Sequence, residues 1–222
     1  AMRKNNIKKI IYAASSSCYG IPKKTPTKER DLITPMYPYA FSKYIGEELI
    51  KHYCKVYKLK FSSLRLFNVY GTRSRTNSAY GAALGVFMRQ KIANKNFTVV
   101  GDGNQKRDFI HVKDVCDAFI KATFSKQKNQ IYNVGFGYPK SVNYLLKLIK
   151  GKKTYIPKRP GEPKITHADI SKIKNELKWK PRISLEDGIK DVLNNIDYWK
   201  DTILWDKKKI KKATKNWFKY LK

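Results

Sequence analysis

Residues 37–67 read YPYAFSKYIGEELIKHYCKVYKLKFSSLRLF, and this stretch decides the fold class. From Tyr39 to about Lys58, apolar and aromatic side chains recur at helical spacing after a loop punctuated by prolines. The run FSSLRLF at 61–67 predicts a strand, and the earlier run IIYAASSS at 10–17 predicts a buried strand that ends in a serine-rich turn. Strand, long helix and strand in this order are typical of a βαβ unit, so we expect a parallel sheet covered by helices.

Beyond Gly71 the pattern is less regular and predicts a smaller body packed against the sheet. We expect strands at 97–100 and at IYNVG, and helices near 82–94, 112–124, 141–150, 169–177, 185–199 and from about 207. The predicted domains are part of a dinucleotide-binding domain at 1–71, a substrate-binding cap with some return to the sheet at 72–200, and a basic C-terminal helix at 201–222. The fold class is α/β, the C-terminal part of a Rossmann-type parallel sheet with a smaller mixed α/β cap.

The sequence lacks the glycine-rich turn of a dinucleotide-binding domain. Such a domain opens with a strand, this turn and a helix whose N-terminus holds the pyrophosphate. None of the 12 glycines forms GxGxxG or GxxGxxG. Because the first strand resembles a late strand of such a sheet, we expect about a hundred further residues upstream in the natural protein, by the size of the missing half.

The charge of +31 is the strongest signal in the composition and suggests a nucleic-acid-binding module as one hypothesis. The excess is almost all lysine and is spread along the whole chain, whereas arginine is favoured for bidentate phosphate recognition. We therefore favour a solvated lysine-rich surface. With 41% apolar residues, no apolar run of about 18 residues and no signal peptide at the start, we expect a globular cytoplasmic protein without membrane contact.

No metal site or disulfide framework is indicated. The cysteines Cys18, Cys54 and Cys116 form no CxxC pair, and we expect all three to be buried and reduced. The histidines share no ligand spacing, so we expect structural or exposed roles for His52, His111 and His167. The scattered carboxylates likewise suggest no acid/base pair.

Tyr39 and Lys43 are the first candidate catalytic residues. They lie at i and i+4 of one predicted helix, so the ammonium can lie close to the phenol and favour its phenolate form, a general base. The YxxxK spacing also occurs by chance, as at Tyr19 and Lys23, so the surrounding motifs are needed to decide whether Tyr39 and Lys43 are catalytic.

A series of motifs surrounds this pair: YAASSSCYG, YPYAFSK, RLFNVYG, GDGNQKRDFIHVKDV, YNVG, KRPGE and ADISKIKNELKWKP. In this order and at these distances, the series resembles the extended short-chain dehydrogenase/reductase family of nucleotide-sugar epimerases and dehydratases, over roughly residues 9–200. The resemblance implies bound NAD, a nucleotide-sugar substrate and a homodimer of the complete protein that pairs through the helix bearing Tyr39.

The resemblance also implies roles for individual residues. Tyr39 would take a proton from the sugar hydroxyl and contact NAD, Lys43 would lower the pKa of Tyr39 and hold the nicotinamide ribose, and Ser15 would hydrogen-bond the same hydroxyl. Phe67 would line the nicotinamide pocket. The implied substrate-binding residues are Ser15, Ser16, Asn68, Arg107, Arg159, Glu162 and Thr166. Of these, Asn68 and Arg107 would contact the substrate diphosphate, and Arg159 and Glu162 would hold the phosphate and the nucleotide ribose.

Within this family the sequence favours 4-epimerisation. The 4,6-dehydratases and the decarboxylases carry an added acid in the stretch after the strand-end serine, where this chain has Ser16 and Ser17, and a hydroxyl cannot act as a general acid at neutral pH. The expected substrate is UDP-glucose/galactose or an N-acetylated form, which the small side chain of Thr166 would accommodate, and the product would serve cell-envelope polysaccharide synthesis. The alternatives are a 4,6-dehydratase, an inactive truncated remnant and the nucleic-acid-binding module.

Overall fold

The computed structural model describes residues 1–74 and 83–221, which form α-helices, short 3₁₀ turns and β-strands. The strands are β1 (Lys9–Ser15), β2 (Lys60–Leu66), β3 (Asn68–Tyr70), β4 (Phe97–Val100), β5 (Lys106–Arg107), β6 (Phe109–His111), β7 (Gln130–Val134), β8 (Lys140–Ser141) and β9 (Lys153–Ile156). The α-helices are α1 (Pro38–Val56), α2 (Ala83–Ile92), α3 (Val112–Phe124), α4 (Val142–Ile149), α5 (Ser171–Leu177), α6 (Leu185–Asn194), α7 (Lys207–Ala213) and α8 (Lys215–Tyr220). None of these helices has the length and apolar character needed to span a membrane.

The main sheet consists of β1, β2 and β7, in that order and all parallel. Alternate residues of β2 face helices on opposite sides, as expected for a parallel sheet buried on both faces. Ser63 and Arg65 bind Glu47 of α1, whereas Leu64 packs in a core with Ala118 of α3. This arrangement confirms the predicted α/β class, and the parallel register brings the carboxyl ends of the three strands to one edge.

A smaller mixed α/β body packs beside this sheet around a second core. Its strand pairs are β3 with β6 and β4 with β9, both parallel, and β5 with β8, antiparallel. Its core is apolar and rich in aromatic side chains, and includes Phe87, Phe97, Leu145, Ile189 and Trp199. The first core takes residues from β7 and from α5, so the chain returns to the sheet after its first pass through the smaller body. The domain boundaries given above remain predictions.

Most long elements lie where the sequence predicts them. Helix α3 and strand β4 have the predicted bounds of 112–124 and 97–100. The helix expected at 82–94 is described from Ala83, and residue 82 lies outside the described residues. The helix expected at 185–199 ends at Asn194 and is followed by a 3₁₀ turn, Ile196–Trp199.

The basic C-terminal segment consists of two short helices instead of the single helix expected. The Asp206 carboxylate accepts a hydrogen bond from the backbone N of Lys209 and caps α7. At Thr214 the chain leaves α7, and its buried hydroxyl donates to the carbonyl of Ile210 at 2.8 Å. The break lets Ile210 and Trp217 both reach the body of the protein, where both are buried.

The three cysteines differ in exposure. Cys18 and Cys54 are buried as expected, and burial raises the pKa of the Cys18 thiol to about 12. Cys116 is exposed, so the expectation that all three thiols are buried was wrong for this residue. It lies on α3, an amphipathic helix whose buried face is formed by Val115, Ala118 and Ala122, and the cysteine falls outside that face.

Candidate active site

A cavity of about 380 Å³ opens at the carboxyl edge of the main sheet. Ser15, Ser16 and Ser17 line it where β1 ends, and Leu66, Phe67 and Asn68 line it where β2 ends. The opposite wall comes from the smaller body, and a third wall comes from the loop at 159–166 and from the C-terminal segment. Ligands of open α/β sheets bind at the carboxyl ends of the strands, so this is the expected place for a site.

Most of the predicted site residues meet in this cavity. Its lining includes Ser15, Ser16, Phe67, Asn68, Arg107, Arg159, Glu162 and Thr166. These side chains come from four separate parts of the chain. The remaining two predicted residues, Tyr39 and Lys43, do not line the cavity and lie beside it on the first turns of α1.

Two arginines and one glutamate form the polar end of the cavity. Arg107 Nη2 lies 3.6 Å from one carboxylate oxygen of Glu162, and Arg159 Nη1 lies 3.2 Å from the other. Arg107 also donates to the carbonyl of Pro163 at 2.9 Å. Burial lowers the pKa of the Arg107 guanidinium, and the Glu162 carboxylate opposes this change. Two positive charges against one negative charge leave this end suited to an anionic ligand.

The serines at the end of β1 hydrogen-bond one another. Ser15 Oγ lies 2.8 Å from Ser17 Oγ and accepts the backbone N–H of Ser17, which caps the 3₁₀ turn Ser16–Tyr19. Because either hydroxyl can donate in this pair, Ser15 keeps the capacity to hydrogen-bond a ligand in the cavity.

Tyr39 and Lys43 lie on one turn of α1 but are not in contact through a hydrogen bond. Lys43 Nζ donates to the carbonyl of Ala13 in β1 at 3.0 Å, which holds the ammonium two residues before Ser15. The Tyr39 ring stacks on Tyr37, with centroids 6.5 Å apart, and 53% of Tyr39 is exposed. Within the residues that the structure describes, no hydrogen bond joins the Tyr39 hydroxyl to Lys43 or to Ser15.

Tyr37 is a cavity residue that was not predicted from the sequence. It lines the cavity between the serine turn and the tail, and its ring lies 5.3 Å from that of Trp217. Burial raises the pKa of the Tyr37 hydroxyl, and a hydrogen bond with Ser17 opposes this change. The aromatic residue directly before Pro38, the first residue of α1, could have indicated this contact. Trp205 and Ile210 also line the cavity, and no sequence motif marks them.

The described part of the chain shows no cluster of metal-binding side chains at this site. Across residues 1–74 and 83–221, no three His, Cys, Asp or Glu side chains lie close enough together to hold an ion. The histidines have other surroundings: His111 caps α3, His167 Nε2 lies 2.9 Å from the carbonyl of Gly137, and His52 is exposed.

The sheet, the smaller body and the cavity between them define a Rossmann-type α/β protein with a cavity at the carboxyl edge of its strands. The model of the NAD dependent epimerase/dehydratase family matches residues 1–135. The chain belongs to this family, whose cofactor is NAD.

Proteins similar to this chain support the same assignment. A relative from Methanocaldococcus jannaschii is 40% identical over 200 residues, which are 87% of this chain and 64% of the relative. Three solved structures cover 85–87% of this chain at 31–33% identity. They are a UDP-N-acetylglucosamine 4-epimerase from Methanobrevibacter ruminantium in complex with UDP-N-acetylmuramic acid (TM-score 0.79; 65% of that chain covered), a UDP-glucose 4-epimerase from Thermotoga maritima with UDP-glucose (0.80; 65%) and a UDP-glucuronic acid 4-epimerase from Bacillus cereus with UDP-glucuronic acid and NAD (0.78; 61%).

The chain therefore spans slightly less than two thirds of the length of these relatives. Within that span it carries the cavity described above.

Proposed function

We propose that the natural protein carrying this chain is an NAD-dependent nucleotide-sugar 4-epimerase that acts through a 4-keto intermediate. The observation that carries this proposal is the cavity itself. It brings serines, an asparagine and an Arg–Glu–Arg cluster from four parts of the chain to the carboxyl edge of a parallel sheet. The similarity to 4-epimerases of three different UDP-sugars supports the reaction type without selecting the sugar.

The Arg–Glu–Arg cluster is the proposed binding site of the nucleotide diphosphate. Guanidinium groups offer paired N–H donors that match phosphate oxygens, and Arg107 is already held in place by Pro163 and Glu162. Arg159 would add a second positive charge, and Glu162 would accept hydrogen bonds from the ribose hydroxyls. The same cavity is lined by this cluster and by the serines at the end of β1, and the sugar would lie toward those serines.

Tyr39, Lys43 and Ser15 are the proposed catalytic residues. Tyr39 would accept the proton of the C4 hydroxyl, Lys43 would hold the phenolate by its charge, and Ser15 would orient the same hydroxyl. NAD, when bound, supplies the acceptor and donor of hydride. The residues present fit NAD, because Lys43 uses one of its three N–H donors on Ala13 and retains two for ribose hydroxyls, and the buried ring of Phe67 lines the cavity.

A 4,6-dehydratase is the alternative within the family. Its elimination step needs a general acid close to the strand-end serine, and the residues that line the cavity there are Ser16 and Ser17. A serine hydroxyl does not act as a general acid at neutral pH, which favours epimerisation.

We further propose UDP-glucose/galactose or the corresponding N-acetylhexosamines as substrates, because Thr166 lines the cavity with a small side chain. A homodimer that pairs through α1 is also proposed. Along this helix Phe41, Ile45, Leu49 and Tyr53 are each about half exposed, which is unusual for apolar residues at regular helical spacing on an unpaired surface.

The reaction is tested by incubating the full-length natural protein with UDP-glucose and, separately, with UDP-N-acetylglucosamine, and by following the products with proton NMR. We expect inversion at C4 with C6 intact. A new C6 methyl signal would identify a dehydratase, and no turnover of either sugar in the full-length protein would favour an inactive remnant.

The catalytic assignment is tested by Tyr39→Phe. We expect turnover to fall by roughly 100-fold or more, because the general base is lost, with little change in the melting temperature. Tyr57→Phe is the matched control, since Tyr57 directly follows the same helix, is 41% exposed and lies outside both the proposed site and the four residues of the proposed dimer surface. Equal turnover in the two variants would contradict the role of Tyr39.

A further inference from the structure

Asn68 and Thr166 meet in the cavity although they are far apart in the sequence. Thr166 Oγ1 donates a hydrogen bond to Asn68 Oδ1 at 2.8 Å, and the backbone N–H of Asp108 donates to Thr166 Oγ1 at 3.1 Å. The threonine hydroxyl therefore accepts one hydrogen bond and donates another to the amide oxygen.

This hydrogen bond sets the orientation of the Asn68 amide. With Oδ1 engaged by Thr166, the Nδ2 group points to the opposite side of the amide. Asn68 lines the cavity, and no hydrogen bond within the described residues uses its Nδ2. Two N–H donors of a residue that lines the cavity are thus left without a hydrogen-bond partner among the described residues.

The backbone around this pair is firmly held. The buried Asp108 carboxylate accepts hydrogen bonds from the backbone N–H groups of Phe136, at 2.6 Å, Gly137 and Ala168. The backbone N–H of Asn68 donates to the Asp108 carbonyl at 3.0 Å, within the β3–β6 pairing. The donor to Thr166 and the backbone of Asn68 are therefore fixed before any ligand binds.

We propose that Thr166 is a positioning residue that holds the Asn68 amide with its N–H donors toward the diphosphate of the nucleotide sugar. This inference rests on the proposed function. It gives Thr166 a second effect, through its hydroxyl, beside the effect of its small side chain on the size of the cavity. Without the hydroxyl, the amide is free to turn and present its carbonyl oxygen to the phosphate, which repels it. The hydroxyl contributes to affinity through Asn68 alone, without touching the phosphate.

Two variants of Thr166 separate the hydroxyl from the size of the side chain. Thr166→Val keeps the shape and removes the hydroxyl, whereas Thr166→Ser keeps the hydroxyl and enlarges the cavity. Affinity for UDP is measured by calorimetry on the full-length natural protein. We expect Thr166→Val to bind UDP about tenfold more weakly, because the oriented hydrogen bond from the Asn68 amide to the charged phosphate is lost. We expect Thr166→Ser to stay within about twofold of the wild type.

The opposite order, with Thr166→Ser weaker than Thr166→Val, would show that size alone matters and would overturn the inference. If Thr166→Val fails to fold, Thr166→Ala is the second variant without a hydroxyl, and the same comparison with Thr166→Ser applies. A wild-type protein that binds no UDP would refute the proposed function itself, whereas UDP binding unaffected by Thr166→Val refutes only the inference.

A double-mutant cycle tests whether the effect passes through Asn68. In an Asn68→Ala background we expect Thr166→Val to cause no further loss of UDP affinity, since the amide that it positions is absent. An unchanged tenfold loss in that background would mean that Thr166 acts by another route, and the inference would be wrong.

Discussion

Glu47, on the helix that carries Tyr39 and Lys43, forms a buried ion pair with Arg65 of β2. Their side chains are 2% and 4% exposed, Arg65 Nε donates to Glu47 at 3.1 Å, and Ser63 donates to the same carboxylate at 2.6 Å. A buried pair of this kind contributes little net stability over an apolar pair, but removal of one partner leaves an unpaired charge in the interior.

We therefore expect Glu47→Ala to lower the free energy of unfolding by about 3–5 kcal/mol. Glu48→Ala is the matched control, because the neighbouring Glu48 is 42% exposed and pairs only with the exposed Lys51. Its expected cost is below about 1 kcal/mol. Urea denaturation of both variants provides the comparison, and similar midpoints would show that Arg65 finds another partner.

Protonation of His111 makes the stability of the folded protein depend on pH below neutrality. Burial lowers the pKa of this imidazole, and the nearby Asp191 carboxylate, 3.4 Å from Nε2, opposes this only in part. Because the folded state binds the proton less well than the unfolded state, the stability contributed by neutral His111 is present above about pH 6.5 and is lost as pH falls below it.

We expect the melting temperature to fall between pH 7.5 and pH 5.5, and to fall less in His111→Asn. Asparagine keeps an acceptor for the backbone N–H of Lys113, which His111 Nδ1 caps, but does not titrate. Thermal unfolding at the two pH values measures the difference. An identical fall in the melting temperature of both proteins would mean that groups other than His111 cause the dependence on pH.

At the scale of single residues, the sequence could identify the cavity only through its motifs. Arg107, Arg159 and Glu162 were predicted because their neighbours RDFIHV and RPGE indicate them, and spacing or charge alone would have marked them as surface residues. Tyr37 and Ile210 were missed because their role depends on contacts between distant parts of the chain, which no local pattern reports.

Among the elements, the C-terminal helices α7 and α8 have the clearest effect on the site. Trp217 Nε1 donates to the carbonyl of Pro160 at 2.8 Å, and its ring packs on Tyr37, while Ile210 and Trp205 line the cavity. The tail thus contacts the loop that carries Arg159 and Glu162. Its lysines, which dominate the sequence of this segment, lie mostly on the exposed side.

We expect Trp217→Ala to weaken UDP binding by about tenfold, because the loop at 159–162 loses its support, and Trp217→Phe to weaken it less, since an aromatic ring remains although the hydrogen bond to Pro160 is lost. Tyr220→Ala is the control, since this aromatic residue of the same helix is 69% exposed. Calorimetry with UDP measures all three. If Trp217→Ala binds UDP as tightly as Tyr220→Ala does, the tail has no part in the site.

Elements differ in how far the sequence could predict them. The strand β4 and the helix α3 carry strong apolar patterns and were placed correctly. The strands β3, β5, β6, β8 and β9 were not predicted, because they have two to four residues each, too few for a period to show, and they form only where a partner strand is available. The tail was expected as one helix since the buried Thr214 gives no local signal for a break.

For the whole molecule, the charge of +31 affects the association rate constants of charged ligands. A strongly positive protein attracts anions over distances comparable to the Debye length, about 10 Å at 0.1 M salt. We expect the association rate constant for UDP to fall severalfold between about 20 and 300 mM NaCl, while that of uncharged uridine stays nearly constant. Stopped-flow fluorescence measures both, and equal salt dependence would exclude electrostatic steering.

The charge of +31 is also the basis of the nucleic-acid-binding hypothesis, which can be tested directly. Binding of the protein to an arbitrary DNA duplex would show a steep dependence on salt concentration. We favour the enzyme because the described lysines are scattered over the surface, and the arginines of the cavity are engaged with Glu162. Absence of duplex binding at about 50 mM salt would remove the alternative.

The cavity wall has one further consequence, for the order in which the site is completed during translation. Ser15 and Asn68 leave the ribosome well before Trp205 and Ile210, which line the same cavity. At roughly 5–20 residues per second, the interval from Ser15 to Ile210 is on the order of ten seconds or more. A nascent chain whose sheet has already formed cannot yet hold its ligand with a complete wall, so ligand binding follows the synthesis of the segment with Trp205 and Ile210 and not the formation of the sheet.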